Sequence, residues 1–102
     1  MQQTRVDNTM NYSFEHEELQ EVLEDVATSD PKDLVVFNDD VNTFDHVITT
    51  LIKVCKHSTE QAEQCTWIIH YRGKCAVKKG HEKFLLPMKD AILDAGINAA
   101  IL

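Results

Sequence analysis

The residues best suited to chemistry in this chain are Asn38, Asp39 and Asp40, a run of small polar side chains, together with His70 farther along. An amide, two carboxylates and an imidazole admit three chemistries. Acid–base catalysis would need a carboxylate and an imidazole with shifted pKa values in a cleft, and neither a nucleophile nor a phosphate-binding glycine loop accompanies them. A metal site would want closely spaced His, Cys or carboxylate ligands; Cys55 and His57 are the nearest such pair, and they straddle a helix end. The third chemistry is recognition of a cationic amine. A peptide's α-amino group has a pKa of roughly 8, so at neutral pH it is mostly charged and needs acceptors for its protons. Asn38 offers a carbonyl oxygen, Asp39 a carboxylate and neutral His70 one ring lone pair. The plainest alternative gives the same residues structural duty, as an Asx turn and an ordinary helix-end histidine.

The elements around these residues decide whether they can meet. Leu34-Val35-Val36-Phe37 reads as a strand, so the polar trio stands at a strand's end, where a rigid element presents an exposed loop. The first helix begins near Asn42 or Thr43, both good N-caps, and carries Phe44, Val47, Ile48, Leu51, Ile52 and Cys55 on one face. Beside the polar trio, that face would form an apolar slot. Ser58, followed by Gln61, is a capping-box signature for a second helix with Ala62, Cys65, Thr66 and Ile69 inward and Gly73 at its end. Trp67 to Tyr71 alone is ambiguous between strand and helix, but continuity with the capping box favours helix and puts His70 in the last turn.

Lys74 to Val77 reads as a short strand, and Gly80 opens a third helical segment with Phe84, Leu85, Met88, Ala91, Ile92 and Ala95 inward. Pro87 removes a backbone donor, so the regular helix should begin near it or kink at it. After Gly96, Ile97 to Leu102 supplies a last strand. The order β-α-α-β-α-β implies an α+β fold, a small three-stranded antiparallel sheet packed on helices.

Composition narrows the function classes. Residues 1–31 hold eight acids against one base, whereas residues 32–102 hold nine of each, so the whole formal charge of −7 lies in the first third. A nucleic-acid partner is not expected from such a balance. The reading is a flexible acidic extension over residues 1–31, with a short helix over Glu15 to Val26 as the alternative, and a domain over 32–102 bounded by Pro31. No secretory h-region opens the chain, and no apolar run approaches the about 20 residues that span a bilayer. A soluble cytoplasmic protein without membrane contact is expected. Cys55, Cys65 and Cys75 fit no disulfide framework or zinc motif and read as reduced thiols in small core volumes.

The motifs Asn38-Asp39-Asp40 and His70-Tyr71-Arg72-Gly73-Lys74, at this separation, resemble those of the ClpS family, adaptors that hand N-degron substrates to a Clp unfoldase and protease. The resemblance covers residues 34–102. It implies a non-enzymatic, cofactor-free protein that binds substrates beginning with Leu, Phe, Tyr or Trp and delivers them to a Clp AAA+ unfoldase of the ClpA or ClpC class with ClpP. Carried over by position, it places Asn38, Asp39 and His70 on the α-amine and first peptide group, Asn42, Phe44, Val47, Thr66 and Ile69 around a hydrophobic pocket, and Asp40 at its rim. Where the family commonly reads Thr-Pro-Met, this chain has Asn42-Thr43-Phe44, an aromatic gate in place of a methionine, and Thr66 replaces another pocket methionine. Val77 to Met88, where the family meets its unfoldase, matches poorly and holds Lys78, Lys79 and Lys83. The runner-up is an unfoldase-binding domain of the same fold, akin to the ribosomal-stalk C-terminal domain, that lacks degron binding.

Overall fold

The computed structural model of the chain describes residues 30–102, so the acidic stretch before them and the helix considered over Glu15 to Val26 lie outside the described residues. Leu34, Val35 and Val36 are consecutive apolar residues and all three are buried. Their strand, β1 (Lys32–Phe37), is the centre of a three-stranded antiparallel sheet between β2 (Lys74–Gly80) and β3 (Ala99–Ile101). Helices α1 (Phe44–Cys55) and α2 (Thr59–Arg72) connect β1 to β2, and α3 (Glu82–Asp94) connects β2 to β3. Leu34 and Val36 alternate with Val35 and so share one face of β1; they pack with Val47, Leu51 and Cys55 of α1, Ala62 and Ile69 of α2, and Leu85 and Ile92 of α3.

Local signals account for the helix starts. Thr43 caps α1, its Oγ1 accepting from His46 N at 3.1 Å, and Ser58 caps α2, its Oγ accepting from Gln61 N at 3.1 Å. Asn42, the other candidate cap, has a different task described below. Gly73 ends α2 with φ +92°, a left-handed conformation that costs glycine nothing, and its N–H returns to Ile69 O at 2.8 Å.

β2 runs three residues past the expected Val77, where Lys78, Lys79 and Gly80 pair with Leu34, Asp33 and Lys32, and it carries a bulge. The register with β1 slips between Leu34 and Val35, whose partners are Lys78 and Ala76, and Val77 is the extra residue. The buried His57 donates from Nε2 to Val77 O at 2.7 Å, which assigns its tautomer. His57 is thereby a brace for the bulge, and the fully buried Cys55 beside it is core.

The largest departure from the sequence reading is in α3. Gly80 is still strand, the helix starts at Glu82, and Pro87 lies inside it rather than at its start. Phe84, expected inward, is half exposed, while Leu85 and Ile92 are the fully buried residues of this helix. A proline there is tolerated because the site is exposed and packing of Leu85 and Ile92 holds the turns on either side. Since proline is about 3 kcal/mol less favourable than alanine in a helix interior, Pro87→Ala is expected to stabilise the domain by about 1–3 kcal/mol, read as a higher urea midpoint. An unchanged midpoint would mean the backbone has already relaxed around the ring.

Candidate functional site

The loop after β1 is folded around one carboxylate. Asp39 Oδ1 accepts from Val41 N at 2.9 Å and Asn42 N at 2.8 Å, and Oδ2 accepts from the Asn42 side chain at 2.7 Å. This is the Asx turn that the sequence offered as the plain alternative. It does not exhaust the carboxylate, which has about four lone-pair positions, and it fixes the direction in which Oδ2 is offered. Asn42 Nδ2 also donates to Gly96 O at 2.9 Å, and His46 Nε2 donates to Ala95 O at 2.8 Å. The loop is thus anchored to the end of α3, across a sequence separation that no local pattern reveals.

A second tie joins the two sequence motifs. Asn38 N donates to Gly73 O at 2.9 Å, so the strand end bearing the polar trio is hydrogen-bonded to the glycine that terminates α2. His70, three residues before that glycine, is carried on the last turn of α2. Its ring and the Asn38 side chain make no hydrogen bond among the described residues, which leaves their acceptors open.

Between these elements lies a cavity of about 340 Å³, at the small end of the range for ligand sites. Asn38, Asp39, Asp40, Asn42 and His70 supply its polar side, and Phe44, Val47, Thr66 and Ile69 its apolar side. All nine residues singled out in the sequence therefore meet around one cavity; Thr43, read there only as a candidate cap, also lines it. Val47, Thr66 and Ile69 are buried, the walls of the slot and the edge of the core at once. Thr66 Oγ1 donates to Ala62 O at 2.8 Å, so its hydroxyl is satisfied within the helix and leaves no unpaired donor in the apolar wall.

Phe44 and His70 of the cavity wall belong to an aromatic cluster that sequence reasoning missed. Phe44 stands edge-on to Trp67, ring centroids 4.8 Å apart at 79°, and to His70 at 5.2 Å and 73°; Trp67 in turn stacks on Tyr71 at 5.3 Å and 13°. The signal was present, since Trp67, His70 and Tyr71 fall at i, i+3 and i+4 once the segment is read as helix.

Electrostatics follow from the same hydrogen bonds. The Asn42 N–H, then the Asn42 side chain and the Val41 N–H, hold the Asp39 carboxyl below its ordinary value of 3.8. Because the folded value is the lower one, the contribution to stability is present above 3.8 and is lost as pH falls through that region. Asp39→Asn should therefore be less stable than the wild type at neutral pH, with the gap closing below about pH 4 in acid-series denaturant titrations. A gap independent of pH would mean that shape, not charge, holds the loop. The cysteines are of another kind. Burial pushes all three thiols up, Cys75 to about 11 with the neighbouring Cys65 adding to the effect, so they are protonated at neutral pH and poor nucleophiles.

Comparison with known proteins identifies the family. The profile of the family described as ATP-dependent Clp protease adaptor protein ClpS matches residues 27–98. The chain belongs to the ClpS family. An ATP-dependent Clp protease adapter protein ClpS from Thermosynechococcus vestitus is 34% identical over 68 residues, spanning 66% of this chain and 72% of that protein. The fold agrees with that membership, three helices and a three-stranded antiparallel sheet. By that description the family's members are adaptors of the ATP-dependent Clp protease. Among the described residues no helix is long and apolar enough to cross a membrane.

Proposed function

We propose that this ClpS-family chain binds proteins with bulky hydrophobic N-terminal residues, Leu, Phe, Tyr or Trp, and delivers them to a Clp AAA+ unfoldase of the ClpA or ClpC class coupled to ClpP. The observation that carries the reading is the convergence of open acceptors and an apolar slot on one small cavity. The α-ammonium donates to Asn38 Oδ1, to the remaining lone pair of Asp39 Oδ2 and to a ring nitrogen of neutral His70. The first side chain enters between Phe44, Val47, Thr66 and Ile69, and Asp40 stands at the rim. A cavity of about 340 Å³ suits one side chain and its backbone, not a longer segment. The protein supplies no chemistry of its own; the energy of unfolding and the bond cleavage belong to the partner.

Two parts of the chain divide the work. Residues 1–31, with eight of the chain's seventeen acids, engage the ATPase, while residues 32–102 bind the degron in the cytoplasm. Removing residues 1–31 is expected to leave peptide affinity unchanged and to impair degradation of a Leu-starting reporter. His70→Ala should do the reverse, weakening peptide binding about tenfold or more, the worth of one hydrogen bond to a charged group. Loss of peptide binding in a folded, truncated domain would refute the division. The runner-up, an unfoldase-binding domain without a degron site, predicts no peptide binding in either form.

A further inference from the structure

Helix α3 ends in a closed turn. Gly96 N donates to Leu93 O at 2.9 Å and Ile97 N to Ile92 O at 3.2 Å, the paired bonds of a Schellman motif, with Gly96 in the left-handed conformation that the motif needs (φ +86°). Ile92 and Ile97 are both buried in the core, which holds the turn in place. The carbonyls of Ala95 and Gly96 lie beyond the helix's own bonding pattern and are taken by side chains from α1. Asn42, just before the Thr43 cap, donates from Nδ2 to Gly96 O at 2.9 Å, and His46, in the first turn, donates from Nε2 to Ala95 O at 2.8 Å. A carbonyl only accepts, so each nitrogen is the donor.

Resting on the degron reading above, we infer that His46 is a positioning residue for the bound α-amine: through Ala95 O it fixes the first turn of α1 against the end of α3, and so fixes where Asn42 presents Asp39 Oδ2. The Asn42 amide has two N–H donors and both are spent, one on Gly96 O and the other on Asp39 Oδ2 at 2.7 Å, so the end of α3 is a single amide away from the carboxylate. The bonds from Val41 and Asn42 hold the carboxylate within its loop; those to Ala95 and Gly96, with the Asn38 tie to Gly73, hold the loop within the domain. His46 belongs to both sets, because its backbone N–H donates to the Thr43 cap at 3.1 Å while its ring reaches Ala95. The described residues lining the first cavity do not include His46, so it acts through Asn42 rather than on the ligand. Nor does it serve the core. Its side chain is exposed and borders an open hollow of about 410 Å³ between α1 and α3, with Thr49, Lys53 and Asp94, which leaves room for a ring of similar size. A hydrogen bond between charged partners is short and directional, so a loosened loop costs amine binding before it costs burial of the first side chain.

The test is fluorescence anisotropy with the full chain and a Leu-starting peptide, free and acetylated, on two variants. His46→Phe keeps a ring and removes the donor; His46→Gln places an amide nitrogen about as far from the backbone as Nε2 and keeps it. His46→Phe is expected to weaken the free peptide about three- to tenfold, the worth of one hydrogen bond, and to leave the weaker acetylated peptide unchanged, so the ratio between them falls by the same factor. His46→Gln should bring that ratio back to within about twofold of wild type. A His46→Phe chain with the wild-type ratio overturns the inference and leaves the degron pocket standing. So does a loss shared in proportion by both peptides, which would make His46 a residue of the fold, and so does a His46→Gln chain no better than His46→Phe. If the wild type itself binds free and acetylated peptides alike, the degron reading fails and this inference falls with it.

Discussion

Peptides beginning with Leu, Phe, Tyr or Trp are expected to bind with dissociation constants near the micromolar level, and the same peptides acetylated at the N-terminus are expected to lose at least a hundredfold. Burying one such side chain contributes about 1.5–3 kcal/mol, and hydrogen bonds to a charged group about 1.5–3 kcal/mol each, which together reach the roughly −8 kcal/mol of micromolar binding. Acetylation removes the charge and turns a donor of three protons into an amide N–H. The Asp39 carboxylate cannot follow the change, because three hydrogen bonds fix it. Equal affinity of free and acetylated peptides in fluorescence anisotropy would refute amine recognition at this site.

The second large effect concerns which first residues are admitted. Phe44 lines the cavity where the resemblance would place a methionine, which yields by rotating its unbranched chain, and it is held edge-on by both Trp67 and His70. Such aromatic pairs contribute about 0.5–1.5 kcal/mol each, so the ring is stiff against displacement. A β-branched first residue brings a second γ-carbon to the gate and cannot rotate it away. Wild type is therefore expected to prefer Leu over Ile and Val by about tenfold or more, the usual worth of one misplaced methyl group in an apolar pocket. In Phe44→Ala that preference should narrow to about threefold or less, chiefly through gain for Ile and Val. Wild type binding Ile as tightly as Leu, or a mutant that gains nothing for Ile and Val, would return Phe44 to the status of a helix-opening core residue.

Much of this was legible in the chain, for reasons that differ from residue to residue. Ser58 and Gly73 announced both ends of α2 because caps act within a few residues, and that settled Trp67 to Tyr71 as helix and His70 as a last-turn residue. The spacing of Val47, Leu51 and Cys55 fixed which face of α1 turns inward, whereas the continuous apolar run Leu34 to Phe37 did not say which of its residues meet the helices. Nothing local said that Pro87 would sit inside α3, since tertiary packing of Leu85 and Ile92 overrode a propensity that reads as a break.

By itself, then, the sequence determined the order of elements and the α+β class, because periodicity and caps are encoded at short range, and the resemblance carried by its two motifs pointed to the nine residues that share the cavity. Only the tertiary structure decided how those residues are held. Asn42 bonds Gly96 O, Asn38 bonds Gly73 O, His57 braces the bulge at Val77, and Trp67 meets Phe44 edge-on. Each of these contacts joins residues far apart in the chain, and their energies exist only once the sheet has brought the ends of α2 and α3 beside the loop after β1.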